Sequence, residues 1–191
     1  KITNNGGMDN NAGNIDNAGT IEGDGEIINE NGYVDTTGGS VYNSIDNGYK
    51  GKVKSEVTWN ENGETYFGSL KGAAENASIK PQQQITITLQ DNVTMNENIT
   101  VPDNAVLFIP SDTTLTVPED ITLDNDGNIV EAGNLDVEGT LDTQAEWTEG
   151  STTHYGTLQE ALDEVKDGES ITLMQDTDLT EELEDGESFI A

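Results

Sequence analysis

Residues 2–34 read ITNNGG MDNNAGN IDNAGT IEGDGE IINENG YV. Large apolar residues fall at Ile2, Met8, Ile15, Ile21, Ile27 and Tyr33, a spacing of six with one step of seven. That beat matches neither the helical period nor the strict alternation of one long strand. It fits a solenoid in which each short strand sends one apolar residue inward and then turns. Asn and Gly suit those turns because they adopt left-handed backbone angles at little cost. The same beat returns at residues 128–145, where Ile129, Leu135 and Leu141 keep step with Gly127, Gly133 and Gly139. An Asn/Gly-rich disordered segment is the competing reading. The regular placement of large apolar residues argues against it.

A longer duplication surrounds this pattern. Residues 59–70, WNENGETYFGSL, align without gaps on residues 147–158, WTEGSTTHYGTL. Asn62-Gly63 predicts a hairpin turn in the first copy, and Glu149-Gly150 a looser one in the second. A short helix follows each hairpin. Leu158, Ala161, Leu162 and Val165 take helical spacing, and Leu70, Ala73, Ala74 and Ala77 match them. Thr157 to Glu160 forms a capping box, with Gly168 as the expected stop. The first copy has Ser69 as cap but Gly72 where the box needs Glu, which predicts a weaker helix. Strands come next, at Ile85–Leu89 and Ile171–Leu173, and the first copy continues through Pro102, Pro110 and Pro118, which mark strand ends. The offset between copies is 88 residues up to Ala77 and 84 from Ile87 onward. The four extra residues are expected in a loop around Pro81, leaving Ile87 and Ile171 equivalent.

Four segments result: 1–50, Asn/Gly-rich solenoid coils; 51–110, a hairpin–helix–strand module; 111–144, further coils; 145–191, a second, truncated module. One continuous solenoid is the expected arrangement, because such repeats bury a core only by stacking. Lys1 is not an initiating Met, and the sequence reads as a piece of a longer protein.

The segment YGTLQEALDEVKDGESITLMQDTDLTEEL (155–183) resembles the opening coil of right-handed parallel β-helices of the pectin-lyase-like superfamily. Thr157, Leu158, Ala161, Gly168, Ile171 and Leu173 occupy the places of its helix-and-strand cap. It is also similar to repeats in large, adhesin-like surface proteins of Gram-positive gut bacteria. The resemblance implies an all-β, right-handed parallel β-helix with two short inserted hairpin–helix elements. It also implies an extracellular or cell-surface location. It implies no activity, since fold does not fix function.

Composition narrows the chemistry. The chain has 191 residues, 38 Asp and Glu against 7 lysines and no arginine, and a net charge of −31. Nucleic acid and anionic lipid are excluded by sign. No cysteine is present, which removes disulfides and thiolate metal sites. No apolar run is long enough to span a membrane. The single histidine, His154, leaves His-based metal sites and Ser–His triads without parts. It aligns with Tyr66 and is expected on the hairpin surface. Asp124-Asn125-Asp126-Gly127-Asn128 has the look of a calcium loop but lacks the flanking acids. An Asx turn is the favoured reading, with weak calcium binding as the alternative and no other cofactor expected. Lys50, Lys52 and Lys54 alternate along one strand and read as a solvated or protected edge. Trp59 and Trp147, in equivalent places, are the candidate ligand-binding residues, through stacking on a sugar ring. The competing role is anchoring the hairpin against Tyr66 or Tyr155. The expected function is non-enzymatic: a stalk or adhesin segment presenting a surface to glycan or host protein. The alternative is a fragment of a β-helix polysaccharide lyase or glycoside hydrolase.

Overall fold

Strands of two to five residues bury at most three side chains apiece and must stack to build a core. The computed structural model describes residues 1–10, 13–22, 26–29, 32–37, 39–42, 44–46 and 52–175. It is a β-solenoid of about six turns with two short helices. The first three coils are β1 (Ile2–Thr3), β2 (Gly7–Asp9), β3 (Asn14–Asp16); β4 (Thr20–Glu22), β5 (Glu26–Ile28), β6 (Tyr33–Asp35); and β7 (Ser40–Val41), β8 (Ser44–Asp46), β9 (Lys52–Lys54). A hairpin, β10 (Val57–Glu61) and β11 (Glu64–Gly68), and helix α1 (Leu70–Ser78) follow. The next three coils are β12 (Ile85–Leu89), β13 (Val93–Thr94), β14 (Ile99–Val101); β15 (Ala105–Ile109), β16 (Thr114–Val117), β17 (Thr122–Asn125); and β18 (Asn128–Glu131), β19 (Asn134–Val137), β20 (Thr140–Asp142). A second hairpin, β21 (Ala145–Glu149) and β22 (Thr152–Gly156), α2 (Leu158–Glu164) and β23 (Ile171–Leu173) complete the described elements.

Within each stack of three coils the pairing is parallel and apolar residues sit in register. Ile2 pairs with Ile21 and Ile21 with Val41; Leu107 pairs with Ile129, Leu115 with Leu135 and Leu123 with Leu141. The six-residue beat therefore builds ladders, as expected, with one correction. Val34, not Tyr33, is the buried residue of β6, because Ile15 pairs with Val34. Ile2 is half exposed because it lies on the outermost coil.

The hairpins are not side excursions. They are intercalated in one eleven-stranded sheet of order β1-β4-β7-β11-β10-β12-β15-β18-β22-β21-β23. The joints β7/β11, β11/β10 and β10/β12 are all antiparallel. Three reversals leave β12, β15 and β18 running opposite to β1, β4 and β7. A coil that reverses its strand direction while climbing the same way keeps its winding hand only if its interior moves to the other face of the sheet. One row of directly opposed residues shows that move. It runs Ile21, Val41, Phe67, Thr58, Thr88, Phe108, Val130, His154, Trp147, Ile171. Paired residues share a face. Ile21 and Val41 are the core of the first stack, yet Thr88, Phe108 and Val130 are the outside of the second. The second stack's core, Ile85, Ile87, Leu89, Leu107, Ile109 and Ile129, points the opposite way. The second hairpin repeats the reversal. Trp147 and Ile171 return to the first face, where they pack with Ala145 and Ala161.

The corners of the second stack set its spacing. Pro102, Pro110 and Pro118 follow β14, β15 and β16, and each carbonyl accepts from the residue three further on at 2.8–3.1 Å. Gly127, Gly133 and Gly139 of the next coil lie on those turns. A Cβ at Gly133 would stand 2.0 Å from the Pro110 carbonyl oxygen.

The copies agree where expected. Trp59 opposes Ile87 and Trp147 opposes Ile171, so the four extra residues do not shift register. They fall in the turn after α1, where Asn104 Nδ2 donates to the carbonyls of Ala77, Lys80 and Gln83. Asn62 and Gly63 both have positive φ, as a tight hairpin turn requires. In the second hairpin the turn is one residue later than expected: Glu149 pairs with Thr152, and Gly150 takes the positive φ. The Thr157–Glu160 capping box is present. However, α2 ends at Glu164, and Gly168 serves the following turn instead. Helix α1, expected to be the weaker, has nine residues against seven. Burial of Leu70, Ala73, Ala74 and Ala77 outweighs its poorer cap. Glu56 compensates further by accepting from Leu70 N at 2.8 Å.

Candidate functional site

The change of face leaves the outside of β12, β15 and β18 recessed between two cores on the same side of the sheet. In sheet order, the first stack's Ile21 and Val41 lie before it and the Trp147 cluster after it. Its floor is Thr86 and Thr88, Val106 and Phe108, Asn128 and Val130, directly paired across the three strands. None is charged. Thr88, Val106, Phe108 and Val130 are half-buried and Thr86 is exposed. Thr58 and Asn60 extend the uncharged strip onto β10, and Phe67 and Thr65 onto β11.

The outward positions of the other two sheets of this stack differ. Thr100, Asp124 and Asp142 form one ladder, with Thr100 Oγ1 donating to Asp124 Oδ2 at 3.1 Å. Partial burial, and then the nearby charges of Asp124, Asp103 and Asp142, push the Asp126 carboxyl above its ordinary range. In a chain of charge −31, an uncharged strip across five neighbouring strands is a local departure from composition.

The residues singled out from sequence take the following places. Trp59 and Trp147 are buried, at 0% and 2% exposure. Trp59 stacks on Tyr66 with centroids 5.7 Å apart and meets Tyr42 edge-on at 5.9 Å. Trp147 stacks on His154 at 5.3 Å, not on Tyr155. Neither indole face is open to a sugar; both pin a hairpin to the stack it begins. Tyr155 points to the other face and packs on the second stack, its hydroxyl donating to Glu131 Oε2 at 3.0 Å. Burial, and then that hydrogen bond to a carboxylate, raises the Tyr155 phenol above its ordinary range.

His154 is not the exposed hairpin residue expected. Its side chain is 12% exposed, and Nδ1 is buried without a hydrogen bond, 4.0 Å from Glu164. The Asp124–Asn128 segment bridges β17 to β18 as a turn, with Asp126 N and Gly127 N donating to Val101 O. Asn125 points inward, to Thr143 Oγ1 and the Tyr155 carbonyl. Among the described residues no cluster of three potential metal ligands occurs. Lys52 and Lys54 are exposed on β9 either side of Val53; Lys50 lies outside the described residues. No described helix is long and apolar enough to cross a membrane.

No protein-family model, characterised protein or solved structure matches this chain.

Sequence reasoning noticed the Thr86–Thr88 pair of the floor, but as a Thr-x-Thr repeat that does not recur as a flat array, and missed Val106, Phe108 and Val130 beside it. Their signal is AVLFI at 105–109, apolar at every position, a pattern that fits a strand shielded on both faces. A second group, also missed, joins the first hairpin to its helix. Lys80 Nζ donates to both oxygens of Glu61, at 2.6 and 2.5 Å, and Asn76 Nδ2 reaches Glu61 Oε2 at 3.4 Å. A cavity of about 210 Å³ lies between α1 and β14, lined by Lys71, Glu75, Ser78, Asn98 and Thr100. Lys71 there is paired with Glu97 at 2.5 Å and Glu75 at 3.9 Å.

Proposed function

We propose that this chain is a non-enzymatic β-solenoid segment of a bacterial cell-surface protein, a stalk that presents its recessed, uncharged face to a neutral glycan. The observation that carries this reading is the strip from Thr58 through Thr88 and Phe108 to Val130. The hydroxyl residues Thr58 and Thr88 lie between two half-buried aromatic rings there, Phe67 and Phe108, the pairing of apolar and polar groups that suits a sugar's faces and edges. The surrounding acids disfavour anionic polymers by repulsion. The likeness of residues 155–183 to β-helical repeats of Gram-positive surface proteins supports the extracellular placement. A lone histidine and no arginine argue against lyase chemistry on acidic sugars.

The test is binding of the folded chain to immobilised neutral and acidic polysaccharides, with and without calcium. Retention on a neutral glycan, lost in Phe108→Asp with an unchanged circular dichroism spectrum, is expected. Retention only on host matrix proteins would replace the glycan by a protein partner. Turnover of any polysaccharide would overturn the non-enzymatic reading.

A further inference from the structure

Resting on the reading of the recessed face as a glycan site, we infer that its ligand is an unsubstituted β-1,4-xylan chain. The chain lies lengthwise along the solenoid axis, with four sugars across four neighbouring strands. The observation is the order of residues in one directly opposed row: Phe67 on β11, Thr58 on β10, Thr88 on β12 and Phe108 on β15. All four are half-buried, so each keeps part of its side chain open to the recess. Neither phenylalanine belongs to any of the three core clusters. Their rings are therefore apolar surface that no core takes up.

Phe67 and Phe108 are three strands apart, which at about 4.7–4.9 Å per strand separates them by about 14–15 Å. Sugars of an extended β-1,4 chain advance by about one strand spacing each. The two sugars that stack on these rings are then the first and the fourth. The residues between decide which chain fits. In the threefold helix of xylan each sugar is rotated a third of a turn from the last. When the first and fourth rings lie flat on the floor, the second and third stand on edge with hydroxyls toward it. A flat ring, two hydroxyls and a flat ring is the order Phe67, Thr58, Thr88, Phe108. A twofold ribbon such as cellulose lays every ring flat and carries its hydroxyls at the edges, away from Thr58 and Thr88.

The row is also prepared and bounded. Thr58 Oγ1 accepts from Gln90 Nε2 at 3.0 Å, which leaves its own proton to donate to a sugar oxygen. Beyond Phe67 stands Val41 of the first core. Beyond Phe108 come Val130 and then His154, stacked on Trp147. Contacts with the chain therefore end about one strand past Phe108.

Isothermal titration calorimetry of the folded chain with xylo-oligosaccharides of two to six sugars tests this, with cellohexaose as the comparison. Only a chain of four or more reaches both rings, which makes the second contact intramolecular. Affinity should rise about tenfold from xylotriose to xylotetraose, the worth of one more stacked ring, and change little beyond. Xylohexaose should bind more tightly than cellohexaose. Phe67→Ala and Phe108→Ala should each abolish the step while keeping the wild-type circular dichroism. Thr88→Val, which keeps the shape and loses the hydroxyl, should narrow the preference for xylan. The length series uses the unaltered protein, so it decides the question however the variants fold. An affinity that rises evenly with length, a step that survives Phe67→Ala, or equal binding of cellohexaose would overturn the inference and leave the neutral-glycan reading standing. Retention on no neutral polysaccharide at all would overturn both.

Discussion

Replacing Gly133 by alanine puts the solenoid's vertical spacing to the test. The added Cβ would lie 2.0 Å from Pro110 O, 2.5 Å from Thr113 O and 3.0 Å from Pro110 C. All three obstacles are backbone, so no side chain can swing aside. The coil is also pinned at this point. Ala132 N and Gly133 N both donate to Ile109 O at 3.0 and 2.9 Å, and Asn134 N to Thr113 O at 3.1 Å. Making room means lifting one coil off the next and stretching those bonds. Overpacking of this kind costs about 1–3 kcal/mol, and the rigid obstacle places Gly133→Ala at the upper end. A loss of about 3 kcal/mol in a domain of this size corresponds to a fall in melting temperature of about 6–12 °C. Gly6→Ala is the control, since nothing lies within 4 Å of its Cβ position. It should stay within about 0.5 kcal/mol of the parent. Urea unfolding followed by circular dichroism measures both. If Gly133→Ala matches Gly6→Ala, the coils are not in contact at the Pro110 corner and the stacking described is wrong.

Trp59→Ala should cost about 3–5 kcal/mol in urea unfolding, as a large buried ring is lost. Trp59→Phe should cost distinctly less, because the indole Nε1 is buried without a hydrogen bond and its removal strands no partner. Stability should rise as pH falls from 7 toward 5. The folded pKa values of Glu56 and Asp126 are raised, by burial first, so the folded state takes up protons before the unfolded one. Asp35 and Glu149 are shifted down, by their hydrogen bonds to Thr37 and Lys166 first, so their contribution is lost only as pH falls through and below the ordinary carboxylate values, beneath this range. A urea midpoint that drops over this range would refute the assignment. At the alkaline end, Tyr155 and Tyr66 are both raised, so stability should be lost as pH climbs above about 10, the ordinary tyrosine value. Tyr155→Phe should weaken that alkaline loss without abolishing it, and a melting profile unchanged above pH 10 would contradict the burial of the phenol.

Much of the fold is legible in the sequence because its signals are local. The six-residue beat, the Asn62-Gly63 turn, the Thr157–Glu160 box and the prolines at strand ends each act within a few residues. Errors arise where two local choices are nearly equal. Tyr33 and Val34 are both apolar, and only the pairing of Ile15 with Val34 decides which turns inward. Gly150 could close the second hairpin in either of two registers, and the Glu149–Thr152 pairing selects one. His154 looks polar and therefore exposed, yet its ring substitutes for Tyr66 against a tryptophan.

The change of face is another matter, because it depends on parity. Phe67 and Tyr66 are neighbours in sequence, and they serve different stacks only because the hairpin joins the main sheet through three antiparallel joints. Nothing local distinguishes that from a hairpin hanging outside the solenoid. The candidate face was hidden for the same reason. Thr88, Phe108 and Val130 are unremarkable until the cores on either side are known to lie on their side of the sheet.

Disulfide trapping tests the change of face most directly, since the chain has no cysteine of its own. Val41 stands directly opposite Phe67, while Tyr66 points to the other face with Trp59 and Ile87. Directly opposed strand residues have Cα atoms about 4.5–5.5 Å apart, within disulfide range. The double variant Val41→Cys, Phe67→Cys should oxidise readily in the folded protein, and Val41→Cys, Tyr66→Cys should stay reduced. The opposite pattern would place the first stack's core on the same face as Trp59 and Ile87, and contradict the alternation.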